Sequence, residues 1–320
     1  MDRVIHFLTF LFVALFSSCA VQAQICKDWG VAQNVGALER KLLSENSGMA
    51  FSNLVPDRIY HINDSGNGPY FLYTGARGEN TQKVRILEYD AKNSDFEAIS
   101  TALINGKKLL LVADIGDNSK KWQYYELLIF EERSSYGSGI APLARVKIKY
   151  PGPAHDAESL AIHPGGDIFI LTKEQRLRRF QSFPSQMFRL PKAAWTAALE
   201  NGGNKVPLTL EPYGVLDLPQ LAPSLFNLLS TVPTDMSISP DGKRFLVLTY
   251  GSVFEFGFDL SSGPLPATSS WKAGQNFRQI GVPSLEQQES LTYTPDGRGF
   301  LYSSEVRNTA QPLMKLECKN

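Results

Sequence analysis

The residues of this chain with chemistry to offer are mostly carboxylates. Asp114-Ile115-Gly116-Asp117-Asn118 sets two carboxylates and an amide around one glycine, and Asp64-Ser65-Gly66-Asn67 repeats the theme upstream. Oxygen-rich runs of this kind suit calcium, which takes roughly six to eight oxygen ligands. The same residue types also cap turns and tolerate left-handed backbone, and the spacing lacks the distal glutamate of a helix-flanked calcium loop. A second set lies in short phrases of small residues: Glu97 in Phe96-Glu97-Ala98, Glu158 in Ala157-Glu158-Ser159, Asp235 in Thr234-Asp235-Met236, and Glu289 in Gln288-Glu289-Ser290. Lys173 and Glu305 end two further polar clusters, Thr172-Lys173-Glu174 and Ser303-Ser304-Glu305.

Other chemistries find no support. The four histidines (His6, His61, His155 and His163) have no ligand spacing with one another or with cysteine, and no Gly-x-Ser-x-Gly elbow or phosphate-binding glycine loop is present. His155-Asp156 beside Glu158 reads as a turn before it reads as a general base. Lys plus Arg (32) balances Asp plus Glu (32), and no basic stripe carries interleaved aromatics, which argues against nucleic acid as a partner.

The elements that must position these groups are hairpins. A strand opening on a small or acidic residue, a tight turn and a second strand ending in polar residues recur five times. The clearest copies are Ala157 to Lys173, Thr234 to Tyr250 and Gln288 to Glu305, with looser copies at Gly48 to Asn67 and Phe96 to Asn118. Aligned on Met49, Ala98, Ser159, Asp235 and Ser290, they stand 49, 61, 76 and 55 residues apart. A four-stranded propeller blade needs about 40–50 residues. The reading is therefore an all-β fold, a β-propeller of five blades with short helical insertions, six blades being the alternative. The insertions are Pro191 to Asn201 and Pro223 to Leu229, read as padding outside the ring, or for the second as a lip over its polar face.

In a blade the innermost strand lines the central channel and the second runs antiparallel to it, so the start of one lies beside the end of the other. Glu97, Glu158, Thr234, Asp235 and Glu289 begin inner strands. Asp64 to Asn67, Asp114 to Asn118, Thr172-Lys173-Glu174, Thr249-Tyr250 and Ser303 to Glu305 end second strands. All fall on one rim of the channel. Crowded carboxylates there need relief from a bound cation, paired Lys or Arg, or raised pKa values. In the plainest reading Glu158 and Glu289 only tie neighbouring blades together through backbone amides.

The chain ends carry their own signals. Arg3, the apolar run Val4 to Phe16 and Val21-Gln22-Ala23 form a secretory leader over residues 1–23, leaving 24–320 as a single domain. Lipid attachment at Cys19 is the competing reading. No later stretch is long and apolar enough to span a membrane. The remaining thiols, Cys26 and Cys318, sit at opposite extremes of a ring-shaped chain, where the two ends meet. A disulfide between them is expected, and residues between Cys26 and Glu45 are expected to lend a strand to the last blade.

The ordered motifs Asp64-Ser65-Gly66-Asn67, Asp114-Ile115-Gly116-Asp117-Asn118, Asp156-Ala157-Glu158-Ser159-Leu160 and Gln288-Glu289-Ser290-Leu291 resemble a family of secreted, largely uncharacterised bacterial propeller proteins. The resemblance covers nearly all of residues 24–320 and implies the fold but no substrate. The chain departs from the family at Lys120-Lys121-Trp122 and at Leu248, where arginine is usual. A more distant similarity links it to calcium-dependent lactonase and periplasmic assembly propellers, at the level of fold alone. The functional expectation is an exported monomer, secreted or periplasmic, that binds a small molecule or an extracytoplasmic protein at an acidic rim. Calcium is the candidate cofactor, with Asp64, Asn67, Asp114, Asp117, Asn118 and Glu158 as candidate ligands. A metal-assisted hydrolase of an ester, lactone or phosphoester and a protein-interaction scaffold are the alternatives.

Overall fold

The structure is a computed structural model and describes residues 24–64, 68–90, 94–176, 181–218, 230–305 and 309–319. The leader, Cys19, Asn67 and the segment Pro223 to Leu229 lie outside the described residues.

Five sheets follow one another around a ring. The first blade is built from Asn46–Phe51, Ile59–Asn63, Tyr70–Thr74 and Gln82–Ile86, and the second from Phe96–Ile104, Lys107–Asp114, Tyr125–Glu131 and Ala144–Lys149. Ala157–Ile162, Ile168–Thr172, Ser185–Leu190 and Glu211–Leu216 form the third, and Pro233–Ile238, Phe245–Thr249, Val253–Phe256 and Phe277–Ile280 the fourth. In the fifth, Gln288–Tyr293, Gly299–Ser304 and Gln311–Glu317 are completed on the outside by Gln33–Leu38 from the start of the chain. Each inner strand touches the next, and the first touches the fifth. The ring is a five-bladed β-propeller. The chain's first strand closes its last blade, as the sequence predicts.

Both faces of every blade are covered by a neighbour, so strands such as Leu109 to Ala113 and Phe245 to Leu248 are apolar without alternation. The apolar clusters sit between blades. One packs Phe71, Ile99 and Phe130 between blades one and two, another Leu111, Leu160 and Ile170 between two and three, and a third Leu171, Met236 and Phe254 between three and four. Short strands crossing from the following connection, Gly139–Ile140 and Leu208–Thr209, add in parallel to the outer edges of blades one and two. The helix Lys192–Glu200 packs Trp195 and Ala198 against the second and third blades, with the Trp195 indole donating to the Gly166 carbonyl (2.9 Å). It is padding. The turns Pro240-Asp241-Gly242 and Pro295-Asp296-Gly297 use positive φ at their glycines (74° and 66°).

The ends are fastened redundantly. Cys26 and Cys318 form a disulfide across 292 residues, as expected from their isolation at the two ends. The Cys26 amide and the Trp29 indole both donate to the buried Glu255 carboxylate (3.0 and 2.9 Å), which is also paired with Arg244 (3.0 Å). Among the described residues no helix is long and apolar enough to cross a membrane.

Candidate functional site: an acidic channel rim

One irregularity repeats in all five blades. The pairing between inner and second strands slips by one residue at Ser47, Glu97, Glu158, Thr234 and Glu289, each of which has no partner opposite it. A β-bulge of this kind re-aims a side chain and bends the strand. Two more equivalent positions follow from the register. Two residues before the bulge stand Glu45, Asp95 and Asp156. Just past the second strand stand Asp64, Lys173, Tyr250 and Glu305, whose backbone continues the ladder at Asp64 to Glu45 (2.9 Å) and Lys173 to Asp156 (2.8 Å).

These tiers converge on the axis. Carboxylate oxygens of Glu45, Asp64 and Glu305 all lie within 4.8 Å of one another, and so do those of Asp64, Asp95 and Glu97. Asp64 joins the two groups. On the other side of the ring Lys173 Nζ donates to Glu158 and to Tyr250 Oη (3.1 Å), and Tyr250 Oη donates to Glu289 (2.7 Å), which is hydrogen-bonded in turn to Glu305. The network thus runs from blade three through blades four and five to blade one, with Asp95 and Glu97 supplied by blade two.

Burial and mutual repulsion set the protonation of this ring. Burial, then the negative charges of Asp64 and Asp95, push Glu97 well above the ordinary carboxylate range, with Lys173 pulling the other way. Burial and the hydrogen-bonded carboxyl of Glu289 push Glu305 up to about 10, so Glu305 keeps its proton at neutral pH. Burial and Glu289 hold the Tyr250 phenol protonated. The carboxyls of Glu45, Asp64, Asp95, Glu97, Glu158, Glu289 and Glu305 line this rim, and the Lys173 ammonium is hydrogen-bonded to Glu158 among them. Glu158 Oε2 and Ser47 Oγ are buried there without a hydrogen-bond partner.

Gly116 explains the glycine of the blade-two motif. Its amide donates to the Asp95 carbonyl (3.1 Å), the ladder position that other blades give to Asp64, Lys173 or Glu305. A Cβ there would come within 2.6 Å of the Asp95 and Glu97 carboxylates. Glycine leaves the room that those two side chains fill.

The rest of the predicted site is dispersed. Asp235 stands one residue past the bulge, and its carboxylate accepts from the amides of Met236 (2.7 Å) and of Leu291 in the next blade (2.6 Å). It ties blades four and five together, the role that the plainest reading assigned to Glu158 and Glu289. Asp114 ends the second strand, two residues before Gly116. It accepts from Tyr89 and from the Asp95 amide (2.7 Å), and burial raises it to about 6. Asp117 accepts from the amides of Lys121 and Trp122 (2.7 and 2.8 Å) and so shapes its own loop, on which Asn118 is exposed. None of Asp114, Asp117 and Glu158 belongs to the two carboxylate groups around Asp64. His155 bonds Glu174 (2.7 Å), and bonds from His155 and Lys120 hold Glu174 at about 2 despite its burial. Sequence reasoning placed Tyr250 on the rim but missed Glu45 and Asp95 as rim groups. The available signal was position: each adjoins the start of an inner strand or the end of a second strand.

No protein-family model and no curated protein matches the chain. Solved structures do. The major Malassezia sympodialis allergen Mala s 1 aligns at 10% identity over 87% of this chain and 94% of that one, with a TM-score of 0.53. The β-propeller domain of Myceliophteria thermophila Cps50 (Swd1) aligns at 10% identity over 84% and 82% (TM-score 0.41). A calcium structure of Trichoderma reesei carbohydrate-active enzyme family AA12 aligns at 10% identity over 93% and 98% (TM-score 0.47). At such identities the likeness concerns the fold alone, and the site has to be read from its own residues.

Proposed function

We propose that this chain is a binding propeller working outside the cytoplasm, whose acidic rim takes up calcium and through it a small polar ligand or a polar segment of an extracytoplasmic partner protein. The observation that carries the reading is the convergence of two carboxylate triads on Asp64. Their donors are oxygens only, which suits a hard cation and disfavours zinc or copper. Glu45, Asp64, Asp95, Glu97 and Glu305 would hold the ion. Lys173 neutralises the opposite half of the ring, around Glu158 and Glu289, and so divides the rim into a self-compensated side and a cation side.

The hydrolase alternative needs a base free to take a proton. Glu158 is engaged by Lys173 and Glu289 accepts from Tyr250, so the geometry supports binding better than catalysis. Saturating calcium should raise the melting temperature by mass action, and Asp64→Asn and Glu97→Gln should each abolish that rise while preserving the β-sheet circular dichroism. Equal melting curves with and without calcium, together with no heat on direct titration, would overturn the reading.

A further inference from the structure

The far mouth of the channel is a well of about 370 Å³, with the partly buried Phe51, Ile162 and Ile238 on its collar and the hydroxyls of Ser100, Thr101 and Ser237 among its walls. That lining is mixed and points to no one ligand. A larger concavity opens beside the acidic rim, on blade two, as a cleft of about 780 Å³. Its volume is within the range of small-molecule sites, about 300–1,000 Å³. The second strand of the blade ends at the cleft in Asp114, whose partner across the ladder is Glu126. Directly paired residues share a face of the sheet, here the face whose Val112 and Leu128 pack against blade one. Beyond that apolar stretch the face turns polar and opens.

The ions at the centre of this wall are paired with their neighbours. Arg145 donates to Glu126 (2.6 Å) and lies over the Tyr89 ring (5.0 Å from its centroid). Asp114 accepts from the Tyr89 hydroxyl and from the Asp95 amide (2.7 Å). What Glu126 and Arg145 keep is unused hydrogen-bonding capacity, since a carboxylate has about four lone-pair sites and a guanidinium five N–H groups.

Two aromatic rings complete the cleft. Trp122 is partly buried and Tyr124 is 42% exposed, and between them Gln123 brings an amide, donor and acceptor at once. The loop that carries them is held in place. The Asp117 carboxylate accepts from the amides of Lys121 and Trp122 (2.7 and 2.8 Å), and the Asp117 amide is anchored on Asp156 of the next blade (2.8 Å). The second carboxylate of the blade-two motif thereby positions Trp122. Flat aromatic faces beside planar donors and acceptors match one class of ligand. A pyranose carries C–H groups on its faces and hydroxyls around its edge. The faces stack on aromatic rings through dispersion, and the hydroxyls pair with amides, carboxylates and guanidinium groups.

We propose that the blade-two cleft binds a neutral oligosaccharide, with sugar rings stacked on Trp122 and Tyr124 and hydroxyls bonded to Gln123, Glu126 and Arg145. The cleft meets the rim at Asp95, whose amide serves Asp114 while its carboxylate belongs to the group with Asp64 and Glu97. The sugar site stands beside the proposed calcium ring and does not depend on it.

Isothermal titration of the intact protein with cellotetraose, maltotetraose and chitotetraose, all in EDTA, tests this apart from calcium. At least one of the sugars should bind, and Trp122→Ala and Tyr124→Ala should each weaken that binding about tenfold. Trp122→Phe, which keeps a ring, should weaken it much less. Tyr124 is exposed, so its variant should melt with the unaltered protein. Asp117→Asn should weaken binding on its own and change nothing further in the Trp122→Ala background, the signature of a residue that acts through the ring. No heat with any of the three sugars would overturn the proposal, as would sugar binding indifferent to both ring variants. Trp122-dependent binding of spermidine in place of sugar would overturn it too, by making the cleft a cation site.

Discussion

The same five strands end in two unlike mouths. At their starts the bulges turn Glu97, Glu158 and Glu289 onto the axis, where they are buried with the Lys173 ammonium. A few residues further on, the strands end in Phe51, Ile162 and Ile238, each partly buried against the apolar clusters. The first mouth has removed charge from water; the second has left some apolar surface in it. Both arrangements are unfavourable for the isolated protein, by different routes: desolvation of ions at one end and hydration of hydrocarbon at the other. The difference in scale is informative. A buried, uncompensated charge costs several kcal/mol, whereas one partly exposed aliphatic side chain costs about 1 kcal/mol. Rim residues should therefore be coupled tightly to stability, and well residues loosely.

Lys173→Met should give the largest loss. It leaves Glu158 buried without its cation and removes the ammonium that donates to Tyr250 Oη, and about 3–5 kcal/mol is the expected cost of breaking such a pair. Urea denaturation would read it, and adding Glu158→Gln to the same chain should recover much of the loss. A cost under ~1 kcal/mol would mean that the two mouths are less different than their burial suggests.

A smaller effect comes from pH. Glu305 keeps its proton in the folded ring up to about 10, whereas in the unfolded chain it releases it near ~4.3. Between those values the folded state binds more protons, so stability is complete below ~4.3 and falls as pH rises through the window. Glu97 acts in the same direction. Glu174, held at about 2, acts in the other and withdraws stability only as pH drops below ~4.3 toward 2. Melting temperatures in calcium-free buffer should thus peak on the acid side of neutrality and decline from pH 5 to 9. Glu305→Gln should flatten that decline.

The smallest effect belongs to the other mouth. Ile162→Ser removes a partly buried collar side chain and should shift stability by less than ~1 kcal/mol, with no change in the pH profile. A loss comparable to that of Lys173→Met would show that the well is a packed core in disguise.

Much of this layout is legible in the sequence because it rests on repetition. Five hairpin phrases give the blade number, and antiparallel pairing puts their acidic starts and polar ends at one mouth. The bulge is what the residues do not announce. It advances the register by one, so Glu97, Glu158 and Glu289 reach the axis while Asp235 turns to the Leu291 amide. In blade two one further residue, Ile115, intervenes, and the ladder position that Asp64 holds in blade one falls to Gly116. A motif rich in carboxylates there has an absent side chain at its centre, and the groups that fill the space, Asp95 and Glu97, come from the preceding strand. The well went unread for a different reason: its walls are ordinary strand residues, and only the ring geometry makes a concavity of them.

The strand Gln33–Leu38 has a consequence for the order of events in the cell. Of the ring's strands it is the first to be synthesised, and its pairing partner Gln311–Glu317 is the last. Blades one to four can each assemble as their own residues appear, but the closing blade has to wait for the ring's last strand, holding an unpaired edge open meanwhile. An unmatched edge is a template for any other strand in reach. The protein is therefore most exposed to misassembly just before completion, and one bond between its two ends turns an arc into a hoop.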